Sequence, residues 1–199
     1  MTIFSNRTKL EEWRSSSGTS GLPSTSCRVV PVDDSRPVRW EKPGVGWIKC
    51  NVDAAFVVGS GVTSMDLCFR DTNGHFVADL TQWQQPFYFI VEDEALALLH
   101  AMKEATHRGF ERVQFKSDSK LLVDAIHSRR RSNSEFSLIV NDIILLMSSS
   151  YVNFEVKFVR WQANLVAHTL ARAAKVWASF HRFEIIPLCI EHLLVDNIN

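Results

Sequence analysis

The chain has 199 residues, 46% hydrophobic and 22% charged, with a formal net charge of zero. These values fit one globular domain with extensions and exclude a highly charged disordered chain or a globally basic nucleic-acid binder. An anionic partner therefore has to be held by a local patch or by metal. Cys27, Cys50, Cys68 and Cys189 show no CxxC spacing, no apolar run reaches membrane-span length, and the opening MTIFSNRTKLEEWRSSS lacks an apolar signal core. The expectation is an intracellular protein, nuclear or cytoplasmic rather than secreted, with reduced thiols and no membrane partner.

Residues 1–39 are rich in Ser, Thr, Arg and Pro without sustained periodicity and read as a loosely ordered tail, with a brief helix around Leu10 to Trp13. The domain is expected over residues 40–178. It opens with three β-rich runs, WIKCNVDAAF, MDLCFRD and HFVADLTQW, and the turn signal Asn73-Gly74 makes the last two antiparallel neighbours. A helical pattern from Val91 to His107 ends at Gly109, as a C′ glycine should. VQFKS reads as a strand leading into a helix SKLLVDAI, and HSRRRSNS is a polar connection. Phe136 to Met147 follows as a helix, Val152 to Phe158 as a strand and Asn164 to about Trp177 as an Ala-rich helix. Residues 179–199 are expected to be a helical extension, with a stub near Pro187 to Leu194. The order β-β-β-α-β-α-α-β-α predicts an α/β fold with a mixed five-stranded sheet flanked by helices. Its first three strands run antiparallel and its first and fourth lie adjacent and parallel, so ligands belong near their carboxyl ends.

Three acids fall where acids are costly. Asp53 interrupts the apolar run WIKCNVDAAF, and an ionised carboxylate buried there costs several kcal/mol unless something compensates it. At 100° per residue, Glu94 shares the packing arc of its helix with Val91, Ala95, Leu98, Met102 and Ala105, whereas Glu92 and Asp93 fall outside it and can be solvated. Asp118 stands where VQFKS gives way to the next helix. Each has a structural alternative. Asp53 can be rescued by a hydrogen-bond network, Glu94 can serve the helix macrodipole, and Asp118 can be an N-cap stabilising by about 1 kcal/mol. Together the three converge on one sheet edge, and oxygen donors without cysteine select a hard cation, Mg2+ or Mn2+. Such clusters serve phosphoryl transfer, in which two ions hold the attacking water and the leaving oxygen.

The ordered blocks GWIKCNVDAAF, FRDTNGHF, DEALALLHAM, VQFKSDSKLLVDAI and VRWQANLVAHTLA resemble the ribonuclease H-type domain common in plant proteins, over about Trp40 to Trp177. That domain is related to the ribonuclease H portion of retroelement reverse transcriptases. The resemblance implies that Asp53, Glu94 and Asp118 are catalytic, metal-binding acids, and that the substrate is an RNA–DNA hybrid whose RNA strand is cleaved with Mg2+ or Mn2+. In active members a fourth carboxylate opens the last helix, in a pattern resembling N-x-x-A-D. Here Asn164 matches and His168 stands in the acid's place. Two further departures are Ala54, where a glycine commonly follows the first acid, and GSGVTS, which shortens a Gly-rich loop. The related exonucleases pair acids as D-x-E on the first strand, and here the second position is Ala55.

On the last helix Val166, Leu170, Ala173 and Trp177 make one stripe, with Asn164 and His168 as i, i+4 neighbours away from it. His168 is then either a solvated histidine or a catalytic group facing the acids from their rim, where imidazole relays protons or favours Mn2+. The densest basic patch is Arg129-Arg130-Arg131, which with Asn164 is the expected nucleic-acid contact, its alternative being a solvated loop. The remaining choice is between a metal-dependent ribonuclease and a non-catalytic nucleic-acid- or protein-binding module derived from a retroelement, which fold alone does not decide.

Overall fold

A computed structural model describes residues 40–57, 61–84, 89–129, 134–149, 152–174 and 180–195. The expected helix around Leu10 to Trp13 lies outside the described residues, as does Trp177. The strands are β1 (Ile48–Val57), β2 (Val62–Arg70), β3 (Phe76–Gln84), β4 (Arg112–Ser117), β5 (Asn153–Phe158) and β6 (Phe180–Phe183). The helices are α1 (Ile90–His107), α2 (Lys120–Ser128), α3 (Glu135–Met147), α4 (Leu165–Ala173) and α5 (Glu191–Val195), with a 3-10 turn over Trp161–Asn164 before α4. No helix among the described residues is long and apolar enough to cross a membrane.

The sheet runs β5-β4-β1-β2-β3-β6. β1, β2 and β3 form an antiparallel meander, and β4 joins β1 in parallel with β5 outside it. Helices cover both faces. On one face Val52 and Ala54 of β1 pack with Leu98 and Met102 of α1, Leu122 of α2 and Ile143 of α3. On the other, Cys68 of β2 meets Val166 and Leu170 of α4 together with Ile190 and Leu194. Two-sided coverage explains why all nine residues of β2 are buried despite its mixed sequence. Each large apolar side chain so buried contributes about 1.5–3 kcal/mol. The Trp83 indole on β3 donates to the Ala174 carbonyl at 3.1 Å and ties the end of α4 to the sheet.

The sheet has six strands where the sequence predicts five. β6 pairs antiparallel with β3, placing Phe183 opposite Asp79 and Phe180 opposite Gln82. Four residues are too short to carry a readable period, and FHRF becomes a strand because β3 presents an edge to it. Arg182 of β6 donates to Glu104 of α1 at 2.8 Å, and Arg108 bridges Glu104 to Glu184, so the extension is tied to the domain by ion pairs as well as by β pairing.

The β2–β3 turn forms as Asn73-Gly74 predicts. The Asp71 carboxylate accepts from the backbone N–H groups of Asn73 and His75 at 2.8 and 2.9 Å, and Gly74 takes φ +89°. A Cβ on Gly74 would lie 3.2 Å from two atoms of the Trp40 ring, whereas one on Gly109, at φ +71°, would meet nothing within 4 Å. Gly109→Ala should therefore cost only the left-handed backbone, about 1–2 kcal/mol. Gly74→Ala should cost more, because it also displaces Trp40. Equal losses in chemical denaturation would show that the turn does not press on the indole.

Candidate active site

Parallel pairing aligns Asn51 of β1 with Lys116 of β4. Asp53 and Asp118, each two residues farther on, therefore reach the carboxyl ends of neighbouring strands together. The first turns of α1 cross above them, and Glu94 points inward from the packing face with only 6% of its surface exposed. Asp53, Glu94 and Asp118 each offer an oxygen, and these oxygens all lie within 4.8 Å of one another. Asp118 is not a helix cap. The N-cap of α2 is Ser119, whose backbone N–H is held by the Ser117 hydroxyl at 3.1 Å.

The electrostatics follow from crowding. Burial, then the charges of Asp53 and Asp118, push the Glu94 carboxyl well above its ordinary range, against a backbone hydrogen bond from Ala54. Burial and the charge of Asp53 raise Asp118 to about 6, while His168 and a hydrogen bond from Asn164 pull the other way. Carboxylates this close cannot all ionise unless a cation joins them. Glu94 Oε2 is buried without a partner among the described residues. An all-oxygen set, mutually close and with one orphaned oxygen, fits a hard divalent ion.

His168, one turn into α4, brings Nδ1 to 3.1 Å from Asp53 Oδ2, with the two side chains 17% and 5% exposed. The bond to Asp53 raises the imidazole pKa, and burial opposes the rise. His168 is thus a direct neighbour of the acids and not a solvated histidine. Trp161, 40% exposed, sets its ring 6.5 Å from the imidazole and walls the rim.

Asn164 takes a different position from the one expected of a nucleic-acid contact. It is fully buried, donating Nδ2 to the Val52 carbonyl at 2.8 Å and to Asp118 Oδ1 at 3.4 Å. Asn164 and His168 do share one side, reaching Asp118 and Asp53 respectively, but that side is turned toward the sheet and not toward solvent. Glu92 and Asp93 are likewise buried rather than solvated. Glu92 accepts from the Phe89 backbone N–H at 3.0 Å, and Asp93 accepts from the Thr63 hydroxyl at 2.8 Å. Ala54 directs its methyl into the core cluster, away from the face that carries Asp53. Arg129 is exposed in a left-handed conformation (φ 50°) closing α2, and Arg130 and Arg131 lie outside the described residues.

Asp66 was legible and missed. It stands directly opposite Asp53 in the β1–β2 register, and its signal, an acid interrupting MDLCF, is the same as that of Asp53 in NVDAAF. The Ser64 hydroxyl donates to it at 2.9 Å and the Thr81 hydroxyl also donates. Burial, and then the nearby Asp53, nevertheless push its carboxyl well above the ordinary range.

Residues 51–174 match the family model described as "Reverse transcriptase-like". The chain is 24% identical over 193 residues to the Arabidopsis thaliana protein named "Putative ribonuclease H protein", covering 94% of this chain but only 29% of that relative's length. Among solved structures it is similar to RNase H1 of Halobacterium salinarum, with TM-score 0.58 and 19% identity over 66% of this chain and 99% of that one. LC11-RNase H1, solved in complex with an RNA/DNA hybrid, matches with TM-score 0.56 and 16% identity over 66% of this chain and 99% of its own. The chain therefore belongs to the reverse transcriptase-like family and has the ribonuclease H fold.

Proposed function

We propose that this chain is a metal-dependent nucleic-acid hydrolase of the ribonuclease H type, acting on the RNA strand of an RNA–DNA hybrid. The observation that carries the proposal is the meeting of the Asp53, Glu94 and Asp118 oxygens within 4.8 Å at the carboxyl ends of β1 and β4. Those three side chains would hold Mg2+ or Mn2+. When bound, such ions polarise a phosphoryl oxygen and make water a nucleophile at neutral pH.

The protein's own groups supply the rest. His168, held through Nδ1 on Asp53, would take up or release a proton at Nε2 during hydrolysis. Its presence in place of a fourth acid leaves the site less negative, which weakens ion occupancy and favours Mn2+ over Mg2+. Arg129 with Arg130 and Arg131 is the proposed phosphate contact, a positioning role without base specificity. A hybrid would be recognised by helix shape and 2′-hydroxyls. The similar LC11-RNase H1 has been solved with an RNA/DNA hybrid, which supports this partner class.

The His168–Asp53 bond also favours a second reading, in which a protonated imidazole takes the place of a cation and the domain binds nucleic acid without cleaving it. Three measurements separate the two. Asp53→Asn should abolish cleavage of a labelled hybrid while leaving the melting temperature near that of the parent, and undiminished turnover would remove the acids from the mechanism. His168→Asp should raise Mg2+-dependent cleavage in a side-by-side assay; no gain would mean that the histidine is not what limits the site.

The third measurement is pH-dependent stability without added ion. Asp118 and Glu94 have folded pKa values above their unfolded ones, so the folded state binds more protons and loses stability as pH rises, for Asp118 from about 4 through about 6. His168 acts in the same direction, its contribution being full below about 6.5 and lost as pH climbs through its raised value. Asp118→Asn should therefore melt progressively higher than the parent between pH 4 and pH 7, and Mg2+ or Mn2+ should narrow the gap by stabilising only the parent. A gap that ignores both pH and ion would contradict the crowding.

A further inference from the structure

A chain of polar groups behind the acids has a single direction. The Trp40 indole Nε1–H and Arg70 Nη2 both donate to Asn51 Oδ1, at 3.2 and 2.9 Å. Because two donors occupy that oxygen, the Asn51 amide has one orientation, with Nδ2 turned away from them. Asn51 Nδ2 donates to Asn164 Oδ1 at 2.8 Å, which fixes the second amide in turn. Asn164 Nδ2 is thereby aimed at the Val52 carbonyl at 2.8 Å and at Asp118 Oδ1 at 3.4 Å. The Val52 carbonyl belongs to the peptide that leads directly into Asp53. One amide therefore grips the backbone entering the first acid and the side chain of the third.

We propose that Trp40 and Arg70 are the anchor of a positioning relay, Trp40/Arg70–Asn51–Asn164, which sets the donor presented to Asp118 and the spacing of Asp118 from Asp53. The proposal rests on the metal-site reading above and extends it to residues that touch neither ion nor substrate. The geometry at the anchor supports it. The Arg70 guanidinium is 1% exposed, lies 3.7 Å over the Trp40 ring, and leaves Nε and Nη1 without hydrogen-bond partners among the described residues. A buried cation so sparsely bonded is expensive to keep for packing alone. The donor it delivers to Asn51, strengthened by charge and by the low-dielectric surroundings, is what its burial secures.

Asn51→Asp separates the relay from simple packing. The new carboxylate still accepts from Trp40 and Arg70, so the anchor should be kept, while loss of the Nδ2 bonds to Asn164 and, at 3.4 Å, to the Ala163 carbonyl should lower the melting temperature modestly. It has no N–H for Asn164, whose amide must then rotate and turn its oxygen toward Asp118. Mn2+ affinity measured by calorimetry should fall about tenfold. A negative charge added near a cation site would by itself tighten binding, so the sign of the change is diagnostic. Trp40→Phe retains a ring over Arg70 and deletes one donor, and Mn2+ affinity should fall about threefold with KM for a hybrid unchanged. It stands as the reading should Asn51→Asp not fold.

The Asn164 side-chain amide gives a readout that needs no metal. Its proton resonances should shift in Asn51→Asp, because their acceptors change from the Val52 carbonyl and Asp118 to the new carboxylate, while they stay protected from exchange in both proteins. Variants that bind Mn2+ as tightly as the parent, or an Asn164 amide signal that does not change, overturn the relay. A parent protein that takes up no ion overturns the metal reading instead, and the amide signal still judges the relay.

Discussion

Three carboxylates held within 4.8 Å of one another are the constraint around which the domain is organised. If two of them are ionised, each pair repels by about 3–4 kcal/mol at an effective dielectric near 20. That is a large fraction of the 5–15 kcal/mol by which a domain of this size is stable. The repulsion is contained by rigid elements. β1 and β4 are interior strands of the sheet, α1 packs across them, and both faces of the sheet are covered. None of the three acids can move apart without opening a core.

The protein divides its buried acids by what surrounds them. Asp66 receives two hydroxyl donors, which favour its charged form, while burial and Asp53 across the strand pair push its carboxyl the other way, well above the ordinary range. Burial pushes the Asp79 carboxyl well above its ordinary range, the nearby Asp66 adds to the rise, and a backbone hydrogen bond from Leu80 opposes it. Asp53, by contrast, has a basic partner in His168. One imidazole against three acids leaves room for a divalent ion, but less negative charge to attract it than four carboxylates would provide.

The family match begins at residue 51, yet the folded unit begins earlier. Trp40 is 8% exposed, stacks on Arg70, shelters Lys49 at 4.6 Å and receives the β2–β3 turn against its ring. Residues ahead of the match are thus part of the support for the acids. The chain spans 29% of the length of its Arabidopsis relative.

Asp53, Glu94 and Asp118 were readable from the sequence because each breaks a rule inside one short window: an acid in an apolar strand, an acid on a packing arc, an acid at a strand-to-helix junction. The meander and its parallel neighbour were readable for the same reason, since strand alternation, the Asn73-Gly74 turn and the period of α1 are local properties of the chain. Whether His168 meets Asp53, where Asn164 points, and that β6 exists were decided by tertiary structure. The first two depend on how the last long helix and the turn before it dock against β1, and the third on an edge offered by a strand about a hundred residues away. Asp66 marks the boundary most clearly. It carries the same local signature as Asp53, but its hydroxyl partners Ser64 and Thr81, the depth of its burial and the nearness of Asp53 are all set by the fold. Local sequence determines which residues are out of place; the dielectric and the partners that make such a place habitable come from chain brought together from far apart.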